Sequence, residues 1–218
     1  THCTGKRWLC SACFVGIAIR VSHPHSLRWP RVCTIAAGSQ IMESVIGPDC
    51  VIWASVIERS TVEDHVTIGP FSHLRPGAHV GRRSEIGNYA EIKNSRLGEH
   101  VRQHHNSYLG DADVGVDTNV GAGTITANYD CVRKHRTTIG ERVFLGVDTM
   151  LRAPVTLCDD SKTGAGAVVT HDVPPGKLAI FTAADAPTLE ETEMMDAMTF
   201  SEPQADARPM SEADIEKF

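Results

Sequence analysis

The 218-residue sequence has no apolar run of 18 residues, so nothing in it reads as a bilayer-spanning helix. The stretch from Phe14 to Ile19 is apolar but too short, and no signal-peptide layout surrounds it. A strong charge of either sign is also missing. The formal net charge of −6 gives no long-range attraction for nucleic acid or an anionic membrane, although a local basic pocket can still bind phosphate. Cysteine pairing is absent as a pattern. The seven cysteines are scattered, and Cys10 and Cys13 form a lone CxxC; a zinc or redox role would need a second pair or a suitable histidine spacing. They read as small hydrophobes of a reducing cytosol. Helical periodicity is missing as well, since apolar residues do not recur at three and four through most of the chain.

A period of six stands in its place. An aliphatic residue recurs at Ile46, Ile52, Val62, Ile68, Leu74, Val80, Ile86 and Ile92, then at Leu97, Leu109, Val114 and Val120. The register resumes at Ile139, Leu145, Leu151 and Leu157; Thr163 takes the aliphatic place and Val169 restores it. Gly commonly follows the aliphatic residue, as at Gly47, Gly81, Gly98 and Gly121. A small or β-branched residue stands four places after it, as at Val66, Ser84, Thr118 and Ala167. A short strand and a turn, repeated along each side of a prism, fit this pattern. The Gly reads as the turning residue and the small side chain as filler for the narrow interior. Three sides make an 18-residue coil, and about seven stacked coils bury a continuous aliphatic column.

The expected class is all-β: a parallel β-helix in the shape of a triangular prism, with a protruding loop and a short C-terminal extension. Residues 35–180 form the β-helix, 1–34 an N-terminal segment of unreadable role, and 181–218 an acidic tail. Leu178 to Ile180 covers the end of the prism, and Thr188 caps a short helix reaching Met198. The register breaks after Ile125, where a polar insert runs from Thr126 to Thr138 with Arg133, Lys134, His135 and Arg136. Loops on rigid scaffolds are where binding groups usually sit.

Polar residues concentrate on one stretch of wall: Glu91, Lys93, His104, His105, Tyr108, Asn119, Asn128, Tyr129 and Lys134. Arg75 and Lys93 lie one 18-residue coil apart and offer a phosphate-binding edge, one a fork and the other a point charge. His105 with Glu91 is a candidate base–carboxylate pair. Asn128 can steady an amide or a developing oxyanion. His104 and His105, with His100 nearby, give a weaker metal reading, because adjacent residues of an extended segment point to opposite faces.

The strings IGPFSHLRPGAHVG (68–81), IGNYAEIKNSRLG (86–98), HNSYLGDADVG (105–115), NVGAGTITANYD (119–130) and TIGERVFLGVDTMLRAPVT (138–156) closely resemble one family. It is the C-terminal acetyltransferase domain of the bacterial bifunctional N-acetylglucosamine-1-phosphate uridylyltransferase / glucosamine-1-phosphate acetyltransferase, a hexapeptide-repeat acyltransferase. The resemblance implies a left-handed β-helix that works in the cytoplasm as a homotrimer with sites between subunits. It implies acetyl transfer from acetyl-CoA to the 2-amino group of glucosamine 1-phosphate, for UDP-N-acetylglucosamine biosynthesis, with no metal needed. By this resemblance Arg75, Lys93, Tyr108, Asn119, Asn128 and Lys134 hold the sugar phosphate, and His105, oriented by Glu91, is the general base. Ala122, Asn128, Tyr129, Val147, Ala165 and Thr182 line the coenzyme site. Val147 stands where the family commonly has Ser, and Thr182 where it has Arg, which implies weaker acetyl-CoA binding. Nothing before Ile35 has the character of the family's nucleotide loop, so uridylyl transfer is not expected from this chain. The competing expectations are a related acyltransferase acting on another amino sugar and a non-catalytic β-helix scaffold.

Overall fold

The computed structural model describes residues 33–180, and over that span every regular element is a β-strand. All strand pairs are parallel, and each coil donates backbone N–H groups to carbonyls of the next, as in Thr34 N–H to Cys50 O at 2.9 Å and Glu85 N–H to Val101 O at 2.9 Å. The result is a β-solenoid of about nine turns. At the two ends Thr34–Ile35 pairs with Val51–Ile52, as the first coil expected from Ile35, and Leu178–Ala179 pairs with Lys162–Thr163. The segment expected to cover the C-terminal end is therefore a further coil. The proposed helix from Thr188 and the segment before Cys33 lie outside the described residues.

Three interior columns run along the prism. One stacks Ile52, Ile68, Ile86, Gln103 and Val120; the second stacks Ile57, Leu74, Ile92 and Leu109; the third stacks Val62, Val80, Leu97, Val114, Ile139 and Leu157. All of these side chains are buried, and each aliphatic one contributes about 1.5–3 kcal/mol relative to exposure. Ile57 and Gln103 occupy the two interior places that the aliphatic pattern skips. Thr126, at 1% exposure, is the interior residue near the insert, whereas Ile125 points outward at 39%. The register therefore holds one residue further than the aliphatic pattern indicates, because a threonine has taken the inward position. Cys33 and Cys50 belong to the column of small residues at one corner, and both thiols donate to backbone carbonyls, of Gly47 and Glu63.

Coil length varies. Val45 faces Thr61, Glu85 faces Arg102 and Thr67 faces Glu85, steps of 16, 17 and 18 residues. Asp113 faces Thr138, a step of 25 that contains the insert.

The structure reassigns the repeated glycines. Turning is done mostly by other residues with left-handed φ, one per corner: Asp49, His65, Arg83, His100 and Asp117 along one edge, at 56–64°, and Phe71, Tyr89 and Asn106 along another. Asn, Asp and His tolerate this region better than most side chains. The glycines instead allow coils to approach. A Cβ on Gly87 would fall 2.0 Å from the His104 carbonyl oxygen, and one on Gly115 would fall 2.4 Å from the Gly140 carbonyl carbon.

Two strands are long. Glu85–Lys93 and Arg102–Gly110 each run nine residues, and they pair with one another from Glu85↔Arg102 to Lys93↔Gly110. They continue round a corner that elsewhere interrupts the strands, turning through Tyr89 and Asn106. This continuous double strand carries Glu91, Lys93, His105 and Tyr108, so their spacing is fixed by ladder hydrogen bonds.

Candidate active site

Tyr108 stands opposite Glu91, and Lys93 opposite Gly110. The Tyr108 ring folds over Gly110, where any Cβ would fall 2.2 Å from the phenol oxygen. One coil earlier, Arg75 donates from Nη1 to Glu91 Oε1 at 2.8 Å. That bond raises the Arg75 pKa, against partial burial, with further contributions from the charges of Glu91, Tyr108 and Glu58. Lys93 is shifted the other way. Its pKa lies below the ordinary lysine value, first because its side chain meets Lys134, then through burial and the charges of Arg75 and Lys134, with Asp111 opposing. Arg75, Lys93, Tyr108 and Lys134 are thus brought together as the sequence indicates.

Lys134 reaches this cluster on the insert, which is a compact loop from Asn128 to Arg136 between the strands Ile125–Ala127 and Thr137–Ile139. Tyr129 and Lys134 form an antiparallel bridge, and His135 N–H donates to Asn128 O at 2.8 Å. Asp130 closes the tip by accepting the Val132 and Arg133 N–H groups at 2.9 and 2.7 Å, together with a bond to His135. These bonds hold the Asp130 carboxyl well below the usual carboxylate range, the Arg133 N–H contributing most. At the loop base, Arg136 forks onto Asp113, which lowers the Asp113 pKa. The pair is half-exposed, so its net worth is at most about 1 kcal/mol.

His105 stands opposite Asn88 and is exposed. Its ring meets His104 edge-on at a centroid distance of 6.0 Å, and neither ring nitrogen is hydrogen-bonded within the described residues. It borders an open groove of about 200 Å³ lined by Thr67, Gly69, Glu85, Gly87, Asn88 and His104 among others. Glu91 lies three residues further along the strand than Asn88, beyond the corner at Tyr89. In this structure its carboxylate serves Arg75, and no hydrogen bond joins it to His105. Among the described residues no group of His, Cys, Asp or Glu is placed to hold a metal ion. His104 pairs with Glu85 at 2.8 Å and His100 with Asp117 at 2.9 Å.

Ala122, Val147 and Ala165 occupy equivalent places on successive coils: Asp148 N–H donates to Ala122 O and Gly166 N–H to Val147 O, both at 2.7 Å. His105 holds the same place one coil earlier, since Gln103 faces Val120 and Tyr108 faces Ile125, both at a step of 17 residues. The expected base therefore heads the column that the expected coenzyme residues continue. Tyr129 and Asn128 are on the loop, at a different corner, and Thr182 lies outside the described residues. Asn119, opposite Arg102, is on a different face from the Arg75–Lys93 cluster. Within one chain Arg75, Lys93 and Lys134 thus lie at one place and the Ala122–Val147–Ala165 column at another.

Asp111 and Asn94 are not among the residues the sequence singles out, and Arg136 stands there only as part of the polar insert; all three make side-chain contacts at the base of the loop. Asp111 was legible only as one letter of HNSYLGDADVG. Its significance depends on which residues stack above and below it at a corner.

Two family models match: bacterial transferase hexapeptide (six repeats) over residues 59–94, and hexapeptide repeat of succinyl-transferase over residues 136–171. With the solenoid, they define the class as a β-helix of hexapeptide repeats. The particular likeness is to Bifunctional protein GlmU. The protein of that name from Nostoc sp. is 50% identical over 146 residues, 67% of this chain and 32% of that protein. That from Gloeobacter violaceus is 50% identical over 139 residues, covering 64% and 30%, and that from Pelobacter propionicus 49% over 149, covering 68% and 32%. The chain thus spans about a third of the length of the curated relatives it matches. No helix among the described residues is long and apolar enough to cross a membrane.

Proposed function

We propose that this chain transfers acetyl from acetyl-CoA to the 2-amino group of glucosamine 1-phosphate, acting in the cytoplasm as a homotrimer. The observation that carries the reading is the meeting of Arg75, Lys93 and Lys134 beside Tyr108. Lys93 meets the charges of Arg75 and Lys134 against the opposing charge of Asp111, which leaves positive charge there that a dianionic phosphate neutralises. Arg75 supplies a planar donor face and the two lysines point charges. A scaffold protein has no need of two lysines held in mutual contact.

The chemistry needs a neutral amine to attack the thioester carbonyl. As the N–C bond forms, the amine loses a proton, which His105 accepts at a free ring nitrogen; the C–S bond then breaks and the proton goes to the departing coenzyme A thiolate. The column Ala122–Val147–Ala165 supports a coenzyme lying along the corner with its thioester at His105. Small side chains there let a long cofactor lie against the wall, and Val147 adds an apolar surface, 49% exposed, in place of a hydroxyl. Glu91 acts through Arg75, holding the guanidinium toward the phosphate. Asn119, on another face, supports sites completed between copies, so that one subunit's cations meet a second subunit's wall.

Comparing acceptors tests the reading. Thiol release from acetyl-CoA should be rapid with glucosamine 1-phosphate and at least about tenfold less efficient, in kcat/KM, with glucosamine, which lacks the phosphate. Equal efficiency with both acceptors would remove the phosphate site from the account.

A further inference from the structure

Asp111 is buried at the corner next to Lys93, with a φ of 50°. Its carboxylate accepts two side-chain amides from the coils on either side: Asn94 Nδ2 donates to Oδ1 and Asn128 Nδ2 to Oδ2. Its backbone is tied as well. The Asp111 N–H donates to Lys93 O at 3.0 Å, and its carbonyl accepts from Thr137 N–H at 3.0 Å. One residue therefore grips the first residue of the loop, the residue that follows the loop, and the strand end that carries Lys93.

We infer that Asp111 is a positioning residue: it latches the Asn128–Arg136 loop so that Lys134 is held against Lys93 and the cation cluster exists before any anion arrives. The inference rests on the proposed reading of Arg75, Lys93 and Lys134 as a phosphate site. Two ammonium groups repel, and Lys134 rides on an exposed loop whose free choice is to swing into water. Something must hold it in place. Arg136 helps through Asp113, the Ala112 carbonyl and the Asn94 carbonyl at 3.3 Å, but that fork is half-exposed and weak. The Asp111 contacts are charge-assisted, that to Asn128 buried and that to Asn94 partly so, which makes them the stronger tether.

A carboxylate is required there. Both Asn94 and Asn128 present NH2 groups, and only a group with two acceptor oxygens receives both. An amide of the same shape would set its own NH2 against one of them, leaving a buried donor facing a donor. Asp111 also faces Lys93 and Arg136, so its charge offsets part of the repulsion in the cluster.

The test is a charge swap in the full chain. Asp111→Asn and Asn128→Asp each break the latch, the first by donor facing donor, the second by carboxylate facing carboxylate. The double variant restores it with the roles exchanged. Limited trypsin digestion reads the loop through cleavage after Arg133, Lys134 and Arg136, with a thermal melt to show that the solenoid stays folded. Each single variant should be cut about tenfold faster than the parent, and the double variant within about threefold of it. Single variants as resistant as the parent, or a double variant cut faster than either, would overturn the latch. Kinetically, Asp111→Asn should raise KM for glucosamine 1-phosphate about tenfold and leave KM for acetyl-CoA within about twofold. Equal rises in both would mean general damage and refute a positioning role. Should Asp111→Asn not fold, Asn128→Asp and the double variant decide the matter. Should the parent transfer no acetyl to this acceptor, the phosphate reading fails, while the digestion still decides whether Asp111 holds the loop.

Discussion

Lys134 lies close enough to Lys93 to lower its pKa, although one lies on a long strand of the solenoid wall and the other on the loop that interrupts it. Like charges so placed cost free energy in the empty site and return it when a phosphate enters. Arg75 and Arg142, by contrast, are matched with carboxylates, at 2.8 Å to Glu91 and to Asp160.

The consequence of the lysine pair is a pH dependence. Lys93 has a pKa below that of an ordinary lysine, chiefly because of Lys134, so its ammonium is lost at a lower pH than usual as the solution is made alkaline. KM for glucosamine 1-phosphate should be flat near neutrality and rise on the alkaline side, at a pH below the ordinary lysine value of about 10.4. Lys134→Ala should raise KM throughout and move that inflection upward, because Lys93 loses its like-charged neighbour. An inflection that Lys134→Ala leaves in place would show that Lys134 is not what lowers the Lys93 pKa.

Gly87 and Gly166 separate two uses of glycine. Gly87→Ala puts a methyl group 2.0 Å from the His104 carbonyl, between the two long strands and beside His105. It should cost about 3 kcal/mol or more in a denaturant melt, and activity with it. At Gly166, with φ of 72° and nothing within 4 Å of a new Cβ, alanine should cost only about 1 kcal/mol. Similar costs at the two positions would refute close approach of coils as the reason for the glycine column.

Gln103 interrupts an aliphatic column behind His105. It is fully buried, donates from Nε2 to Ser107 Oγ at 2.9 Å, and its Oε1 has no hydrogen-bond partner among the described residues. An unpartnered buried acceptor costs more than one ordinary hydrogen bond supplies. Gln103→Leu should therefore raise stability by about 1 kcal/mol, read as a higher denaturant midpoint at unchanged slope. A loss of that size instead would mean that the Ser107 contact holds the corner between His105 and Tyr108 in shape.

The sequence patterns reached the solenoid because the interior demands bulk every sixth residue and the demand leaves its trace in aliphatic letters. They stopped short wherever a polar residue met the same demand. Gln103 and Thr126 are interior yet read as gaps, which is why the aliphatic pattern starts the insert at Thr126 and the structure starts it at Asn128. The glycines were legible as a column but not as to purpose, since closeness to the next coil is a property of two segments and not of one. The site divided in the same way. Arg75 and Lys93 were linked by the length of a coil, whereas the pairing of Arg75 with Glu91 and the hold of Asp111 on Asn128 depend on side-chain reach across coils of 16 to 18 residues.

The most direct measurement is coenzyme A thiol release in the presence of acetyl-CoA and glucosamine 1-phosphate, comparing the native chain with His105→Ala. A general base in this position predicts release by the native chain and a kcat lower by about 10²–10⁴ in the variant, with little change in either KM. No release by the native chain, or a variant as fast as the native chain, would contradict the account.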